Sequence, residues 1–596
     1  MGVGRAPLQG HYHKRYSMSG KTTDRLAPRS SDERLIPFVI GVTGHRDLRA
    51  TDTPALEATV RDSLLRLQSH MPNTPLVVLS ALAPGADQLV ARVATELGLE
   101  IAAVRAMPVE ACFEDMPKGS QTAFVEGYNT AYIQIDLPCA PTLAELKGSA
   151  DLRRGQYEVL ARFLASHCQT LIALWDGEDS DRLGGTARVV RYAGGDWPTD
   201  TEQAYDTQTV LVRHVMAPRE GSGGAEAGNL QLRGAGLEAK VWGEEPADFV
   251  NMRRCLDDYN RDAVSGLGPM AQYPGGIAQA ALNGNRFAEQ LCGCYGAADR
   301  LSQHYASWTW AVLWGLLLIA MLGVTSFVIY AHIFPRHFLL WFLYPAALGW
   351  AAAVHWLGRW KRVESRFLDY RALAEGLRVQ LFWRMTGVAD EVADHYLRHH
   401  RTELDWIRHA LRAMALVGMD RKSGEVRPRP EAEALSLTME HWVKDQRNFF
   451  DSRWPKRDET VRTFERRAKW ALWIAGVLST AIPASLLAQA EWLSGWRELA
   501  NDEKWLGVML LVASFPPALA ALGQVWVTQR GTEEEARSYH KMSNVMKRGE
   551  ARIAARVVAK DWTAAREEVR QLGLEALGEN GDWLVLHRNR PLKVVG

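Results

Sequence analysis

A charge excess of either sign is the first thing this sequence lacks. It carries 70 Lys and Arg against 69 Asp and Glu, a net of +1 over 596 residues. A protein that coats nucleic acid needs a basic excess, so nucleic acid is not an expected partner. Cysteine is also sparse. Cys112, Cys139, Cys168, Cys255, Cys292 and Cys294 are scattered without a disulfide framework, and Cys292-x-Cys294 is too close for a zinc knuckle and has no second pair nearby. All six read as reduced thiols facing a cytosol. Residues 1–34 are basic, contain no apolar core, and read as a flexible tail rather than a secretory signal.

The most informative absence lies further along. No Asp, Glu, Lys or Arg occurs in Trp308–Ala331, Phe338–Gly358, Trp470–Ala490 or Trp505–Val527. About 20 apolar residues suffice to cross the hydrocarbon core, so these four runs are expected to span a membrane as two helical hairpins. Arg359, Lys361 and Arg362 follow the second run, Arg466, Arg467 and Lys469 precede the third, and Arg530 follows the fourth. By the positive-inside rule both termini and the middle segment are cytoplasmic, which predicts a multi-pass protein of the inner (plasma) membrane. The 22 Trp residues cluster in and beside these runs, as amphipathic rings do at a membrane interface. The lack of intramembrane ionisable groups disfavours a proton-coupled transporter. Small residues such as Gly349, Ala351, Ala352 and Ala353 allow close helix contact and homo-oligomers.

The two hairpins form a weak repeat. Glu364 and Tyr370-Arg371-Ala372-Leu373-Ala374-Glu375 follow the second run, and Glu533 and Tyr539-His540-Lys541-Met542 follow the fourth at similar spacing. Leu368, Leu373, Leu377, Leu381 and Met385 recur at helical spacing, the stripe of a packed cytoplasmic stalk. Residues 388–455 read as helices over Asp390–Met414 and Glu431–Phe450, separated by the Pro-rich Val426–Pro430. His395, His399 and Glu403 fall on one helical face, but no further group completes a metal shell, so no metal is expected.

Residues 35–218 alternate apolar strands with helices, the pattern of a Rossmann-like parallel α/β sheet covered on both faces. The expected strands are Ile36–Val42, Leu76–Ser80, Ile101–Arg105, Tyr132–Ile135, Leu171–Trp175 and Val210–Met216. The expected helices are Pro54–His70, Gly85–Leu97, Gln156–Cys168 and Gly185–Tyr192. Ligands of such sheets bind beyond the carboxyl ends of the strands. Three of those ends carry small-residue turns: Gly41-Val42-Thr43-Gly44-His45-Arg46, Ser80-Ala81-Leu82-Ala83-Pro84-Gly85-Ala86-Asp87, and Trp175-Asp176-Gly177 with Gly184-Gly185-Thr186. Small residues let amides approach a phosphate, Arg46 can pair with it, and a helix N-terminus adds free N–H donors.

Together these turns resemble the SLOG superfamily, which groups the DNA-uptake protein DprA, the cytokinin-activating LOG enzymes and the N-terminal domain of melastatin-type TRP channels. The resemblance covers roughly the first third of the chain. It implies a pocket for a nucleotide-derived ligand made by Thr43, Gly44, His45, Arg46, Ser80, Gly85, Ala86, Asp87, Trp175, Asp176, Gly177, Gly184, Gly185 and Thr186. It departs from the LOG enzymes at Val189, where their glycine motif supplies a Glu, which favours sensing over glycosidic hydrolysis; Glu158 is the nearest substitute. The hairpins with Tyr370-Arg371-x-Leu373-Ala374-Glu375 and Tyr539-x-x-Met542 resemble the SLATT membrane domains of prokaryotic conflict systems, with four spans instead of two.

The expected organisation is therefore a tail (1–34), a SLOG-like domain (35–218), a connector (219–284), a first hairpin with its stalk helix (285–387), a cytoplasmic helical segment (388–455), a second hairpin with its stalk (456–550) and a C-terminal element (551–596). Residues 580–588 of that last element read as a short strand. Three functions stay open: a ligand-gated membrane effector that opens a pore or disturbs the bilayer, a membrane-tethered nucleotide-processing enzyme, and a scaffold whose sheet domain docks a protein.

Overall fold

The computed structural model describes residues 32–199, 210–221, 226–234, 241–242, 244–265, 286–334, 337–360, 362–397, 404–421, 430–487 and 503–589. Its N-terminal third holds β1 (Phe38–Gly44), α1 (Thr53–His70), β2 (Leu76–Ser80), α2 (Ala86–Glu96), β3 (Glu100–Arg105), α3 (Lys118–Thr130), β4 (Ile133–Asp136), α4 (Ala150–His167), β5 (Thr170–Trp175), α5 (Thr186–Ala193) and β6 (Leu211–Met216). The strands form one sheet in the order β4-β3-β2-β1-β5-β6, all parallel. β1, β2 and β5 bury nearly every residue, as strands covered by helices on both faces must. Residues 219–284, expected as a connector, extend the sheet with β7 (Leu230–Arg233) and β8 (Val241–Trp242), both antiparallel, and add α6 (Ala247–Ser265).

The chain winds from β1 outward through β2, β3 and β4, then returns to the other side of β1 for β5 and β6. The order reverses between β1 and β5, and such a reversal opens a crevice at the carboxyl ends of those two strands.

The remainder is helical. α7 (Arg286–His332) runs unbroken for 47 residues, followed by α8 (Phe338–Trp360), α9 (Val363–Thr386), α10 (Asp405–Val417), α11 (Glu431–Thr438), α12 (Asp445–Leu487), α13 (Glu503–Gln529), α14 (Thr532–Val558) and α15 (Trp562–Arg588). Three stretches are long and apolar enough to cross a membrane: Phe287–Ala331, Phe338–Thr386 and Leu511–Gln529. The end of the expected span Trp470–Ala490 lies outside the described residues, since α12 is described only to Leu487. The stalk stripe is buried as its spacing requires, with Leu368, Leu373, Leu377 and Leu381 in the core and Met385 against it.

Three helical expectations change. Asp390–Met414 is not one helix, because the chain turns through a left-handed Leu397 (φ 59°) after a short turn at Val392–His395. Glu431–Phe450 is helical throughout but passes through a π-helical turn, Met439–Lys444, and runs on into α12. Residues 580–588 are not a strand; they end α15, where Ala576, Leu577, Asn580, Trp583, Leu584 and His587 are buried at helical spacing and Asp561 caps the start.

The helical body meets the sheet at the amino ends of its strands. Asn260 on α6 accepts from the Ile36 amide and donates to the Ile36 carbonyl, both at 2.9 Å, and donates to the Thr74 hydroxyl at 3.1 Å. Asp257 accepts from the Asn73 amide and the Thr74 hydroxyl, each at 2.9 Å. Gln169, just before β5, accepts from the Val39 amide and donates to the His409 carbonyl on α10 at 3.1 Å. Asn260→Ala removes three buried bonds and strands the Ile36 amide and carbonyl. We expect it to cost about 2–3 kcal/mol, read as an earlier denaturation midpoint of the purified full-length protein with an unchanged slope.

Candidate functional site

A cavity of about 580 Å³ opens at the carboxyl rim of the sheet, over the β1/β5 crevice. All three small-residue turns reach it. The first contributes Thr43, Gly44, His45 and Arg46, the second Asp87, and the third Trp175, Gly184, Gly185 and Thr186.

The turns are locked together by backbone contacts. The Ala86 amide donates to the His45 carbonyl and the His45 amide to the Leu174 carbonyl, each at 3.0 Å. A Cβ on Gly44 would lie 2.6 Å from the Leu174 carbonyl oxygen, and one on Gly85 (φ +81°) would lie 2.5 Å from the carbonyl oxygens of both His45 and Arg46. Only glycine permits this approach of three chain segments. The ring of His45 adds a side-chain dock, its Nε2 lying 3.1 Å from the Asp176 amide nitrogen and 3.0 Å from Asp176 Oδ2. Burial lowers the His45 pKa against the pull of Asp176, favouring the neutral ring. Burial opposes ionisation of Asp176, yet the Glu178 amide, His45 and Arg219 hold its pKa below the ordinary value. Arg219 Nε donates to Asp176 Oδ2 at 3.0 Å.

Five of the expected ligand residues therefore do not line the cavity. Ser80 is fully buried, its hydroxyl accepting from the Leu82 amide at 3.0 Å and donating to Asp87 at 3.4 Å. Gly85 and Ala86 are taken up by the contact with the first turn, and Asp176 by His45 and Arg219. Gly177 (φ +86°) makes the turn after β5. The second turn also differs from expectation in its donors. The amides opening α2 are already used, Ala86 on His45 and Gln88 on the Ala83 carbonyl, while the Asp87 carboxylate takes the Ala81 and Ala83 amides. A local carboxylate thus fills the anion position that the sequence offered to a guest.

The third turn keeps its donors. Gly184 is held by its amide on Glu158 at 3.1 Å, and Glu158 also accepts from the Tyr192 hydroxyl. Arg162 and Arg188 lie 3.5 and 3.8 Å from the same carboxylate. Glu158 is therefore a brace for the turn rather than a group facing the cavity. Beyond it, Thr186 and Ala187 open α5 on the cavity wall, and their N-cap, Gly185, offers no side chain to them. That helix start is the amide donor set available to an anion.

Arg46 is held at the mouth. Its guanidinium lies over the Tyr157 ring, 5.2 Å from the centroid, and Nη1 donates to the Asp115 carbonyl at 3.1 Å. Arg105, Arg154, Arg182 and Arg219 also reach the cavity. Sequence reasoning missed Tyr157 and these arginines: they come from a strand end, a helix and loops with no motif of their own, and only the fold brings them to the rim. Of the three residues on the helical face where no metal is expected, His395 bonds Asp390 at 3.0 Å, and His399 and Glu403 lie outside the described residues.

Burial is the main force on Asp87 and pushes its pKa up to about 7, against the Ala83 amide, Arg46, Ser80 and the Ala81 amide. A carboxyl raised this way favours the folded state while protonated. Its contribution is complete below the ordinary value of 3.8 and is lost as pH rises through about 7. Asp87→Asn removes that dependence. Measured by thermal unfolding in detergent, the melting temperature of the native protein relative to Asp87→Asn should fall between pH 5 and pH 8; a constant difference would contradict the raised pKa.

No protein-family model matches this chain, and a search of curated proteins finds no relative. The cavity has to be read from its own geometry.

Proposed function

We propose that the chain is a membrane effector or sensor whose cytoplasmic sheet domain binds a phosphate-bearing, nucleotide-derived ligand and relays its occupancy to the membrane helices. One observation carries the reading. Turns from β1, β2 and β5 line a single cavity at the point where the strand order reverses, with the uncapped start of α5 and Arg46 on its walls. This is where doubly wound sheets hold nucleotides, and the donors suit phosphate. The resemblance of the three turns to the SLOG superfamily points the same way.

Four spans with both termini in the cytosol complete the proposal, two hairpins gating a pore or membrane-disrupting assembly of several copies. Support for the span not among the three apolar stretches comes from Trp470, Leu472 and Trp473, large apolar side chains left 59–65% exposed on α12. The resemblance of the hairpins to SLATT domains adds to it, and with it a role in prokaryotic defence.

The cavity lies at the carboxyl ends of the strands, and most bonds from the helical body reach their amino ends. One link to the carboxyl side runs along the β3–β4 edge. Arg105 reaches the cavity and pairs with Asp136 through two bonds of 2.8 and 2.9 Å. Arg421, beyond α10, lies 3.8 Å from Asp136, and its neighbour Asp420 accepts from the Gln134 amide at 2.9 Å.

One observation favours an enzyme instead. Asp87 lines the cavity with a pKa near neutrality, as a general acid or base requires. Against it, Val189 stands where LOG enzymes carry their acid, and Glu158 is committed to the Gly184 turn.

The test is mass spectrometry of small molecules released from the purified full-length protein, then incubation with NAD and nucleoside monophosphates. We expect a bound nucleotide that survives unchanged, and Arg46→Ala to reduce its retention at least about 10-fold, the worth of one charge-assisted bond. Turnover abolished by Asp87→Asn would favour the enzyme. Retention unaffected by Arg46→Ala would remove the sheet cavity as the binding site.

A further inference from the structure

A second cavity, of about 530 Å³, lies far from the sheet rim, where the two hairpin units meet. Its walls come from α7 and α9 of the first unit, α12 and α14 of the second, and α15. Arg530, at its membrane end, directly follows the apolar stretch Leu511–Gln529. Trp310 lines it at the same level and packs against Trp526 with ring centroids 5.7 Å apart, the aromatic signature of a membrane–water boundary.

Five arginines and five acids line this space, but they are not matched in five pairs. Arg378 closes on Glu375, and Arg457 reaches Glu535 at 3.2 Å. Arg371, Arg453 and Arg530 form no ion pair or hydrogen bond with any side chain among the described residues. Each lies instead over an aromatic face: Arg371 over Trp583 at 4.5 Å, Arg453 over Phe449 at 5.3 Å, and Arg530 over Trp310 at 5.1 Å. The Nε atoms of Arg371 and Arg530 are buried without a partner.

Stacking of this kind fixes the plane of a guanidinium and leaves its N–H edge free, the geometry that accepts phosphate oxygens two at a time. The unmatched acids act on these arginines at a distance and are bonded to other side chains. Asp299, Asp445 and Glu579 bond to Gln303, Gln446 and Ser538 at 2.8, 3.4 and 2.9 Å. Burial pushes the Glu579 carboxyl up, toward its neutral form. A carboxyl can shed its charge by taking a proton, whereas an arginine keeps its own. The three stacked arginines therefore keep their charge with N–H edges uncommitted, while burial draws Glu579 and Asp299 toward their neutral forms.

We propose that this cavity is a second binding site, taking a phosphate-bearing anion on Arg371, Arg453 and Arg530 so that one guest ties the two hairpin units together at the membrane's cytoplasmic boundary. Phosphate of this kind has two sources, an anionic phospholipid headgroup or a soluble phosphate ester. Apolar walls such as Phe367, Met542 and Met546 accommodate the non-phosphate part of either guest.

The experiment uses full-length protein in detergent and native mass spectrometry, with phosphatidylglycerol and inorganic pyrophosphate as probes and neutral diacylglycerol as control. Retention of phosphatidylglycerol alone supports the site and identifies the membrane as the source; retention of pyrophosphate alone supports it with a soluble source. In either case the double variant R371Q/R530Q should lower retention at least about 10-fold. Arg453 is solvent-exposed at the rim, so R453Q should fold normally and still weaken binding several-fold. In an R46A background, which weakens the sheet cavity, the retention that R371Q/R530Q lowers should persist. Retention of neither probe, equal retention of all three compounds, equal retention by wild type and both arginine variants, or loss of that retention in the R46A background would each overturn the proposal.

Discussion

The contact on which the carboxyl rim depends is the close approach of three backbone segments around Gly44 and Gly85. Leu174, His45 and Ala86 are joined by two amide–carbonyl bonds of 3.0 Å, and the space a side chain would need is already occupied by carbonyl oxygens. Because the segments belong to β5, β1 and the β2–α2 turn, this contact fixes where the strand ends stop relative to one another. His45 can then reach Asp176, and Arg46 emerges at the mouth over Tyr157. The glycines act here by what they exclude. The free donors on the cavity wall lie elsewhere, at the opening of α5 and on arginine side chains.

Polarity of the sheet is the second constraint. In a parallel sheet every strand points the same way, so the two ends are chemically different surfaces. The carboxyl end holds the cavity, while the amino end is bonded to α6 and α10 through Asn260, Asp257 and Gln169. Those bonds are made by buried side chains, mostly to the chain just before β1 and β2, which makes the joint stiff. A seven-residue strand such as β1 spans about 20 Å at ~3.3 Å per residue. A ligand at one end can influence helices at the other only by shifting strands as units or by acting at an edge. The Arg105–Asp136–Arg421 line lies along such an edge, at β3 and β4, where β4 has only one strand neighbour.

Much of this was legible beforehand, for physical reasons that differ by element. Leu76–Ser80 is a buried strand end to end, and the other five parallel strands begin and end within two residues of expectation, because continuous apolar runs bounded by turns leave little freedom. The rim was legible because small residues at strand ends have few other uses. Illegible were the features that need three dimensions: β7 and β8 are short and paired antiparallel, and Tyr157 and Arg105 reach the cavity from elements without a motif. Asp87 shows the limit most clearly. Its position at a helix start suggested open amides, yet its own carboxylate and the His45 carbonyl consume them. Residues 580–588 failed for another reason: a short apolar run is compatible with either period, and only the partners of Trp583 and Leu584 choose the helix.

The repeat reads more strongly in the backbone than in the sequence. A left-handed residue stands between α8 and α9, Arg362 (φ 51°), and between α13 and α14, Gly531 (φ 60°). Eight residues past each break stands a buried tyrosine, Tyr370 and Tyr539. A left-handed residue between two helices reorients the second without a long loop, so α9 packs back on α7 and α14 on α12. A non-glycine residue at such a break is strained, by about 1–3 kcal/mol. Arg362 sits there with its guanidinium on Cys255 of α6, so the strained exit of the first unit touches the helix that is bonded to the sheet. The second break uses glycine and has no such tether among the described residues. The two units are thus alike in geometry and unlike in attachment: the first is bonded to the helix that meets the sheet, and the second packs against the first.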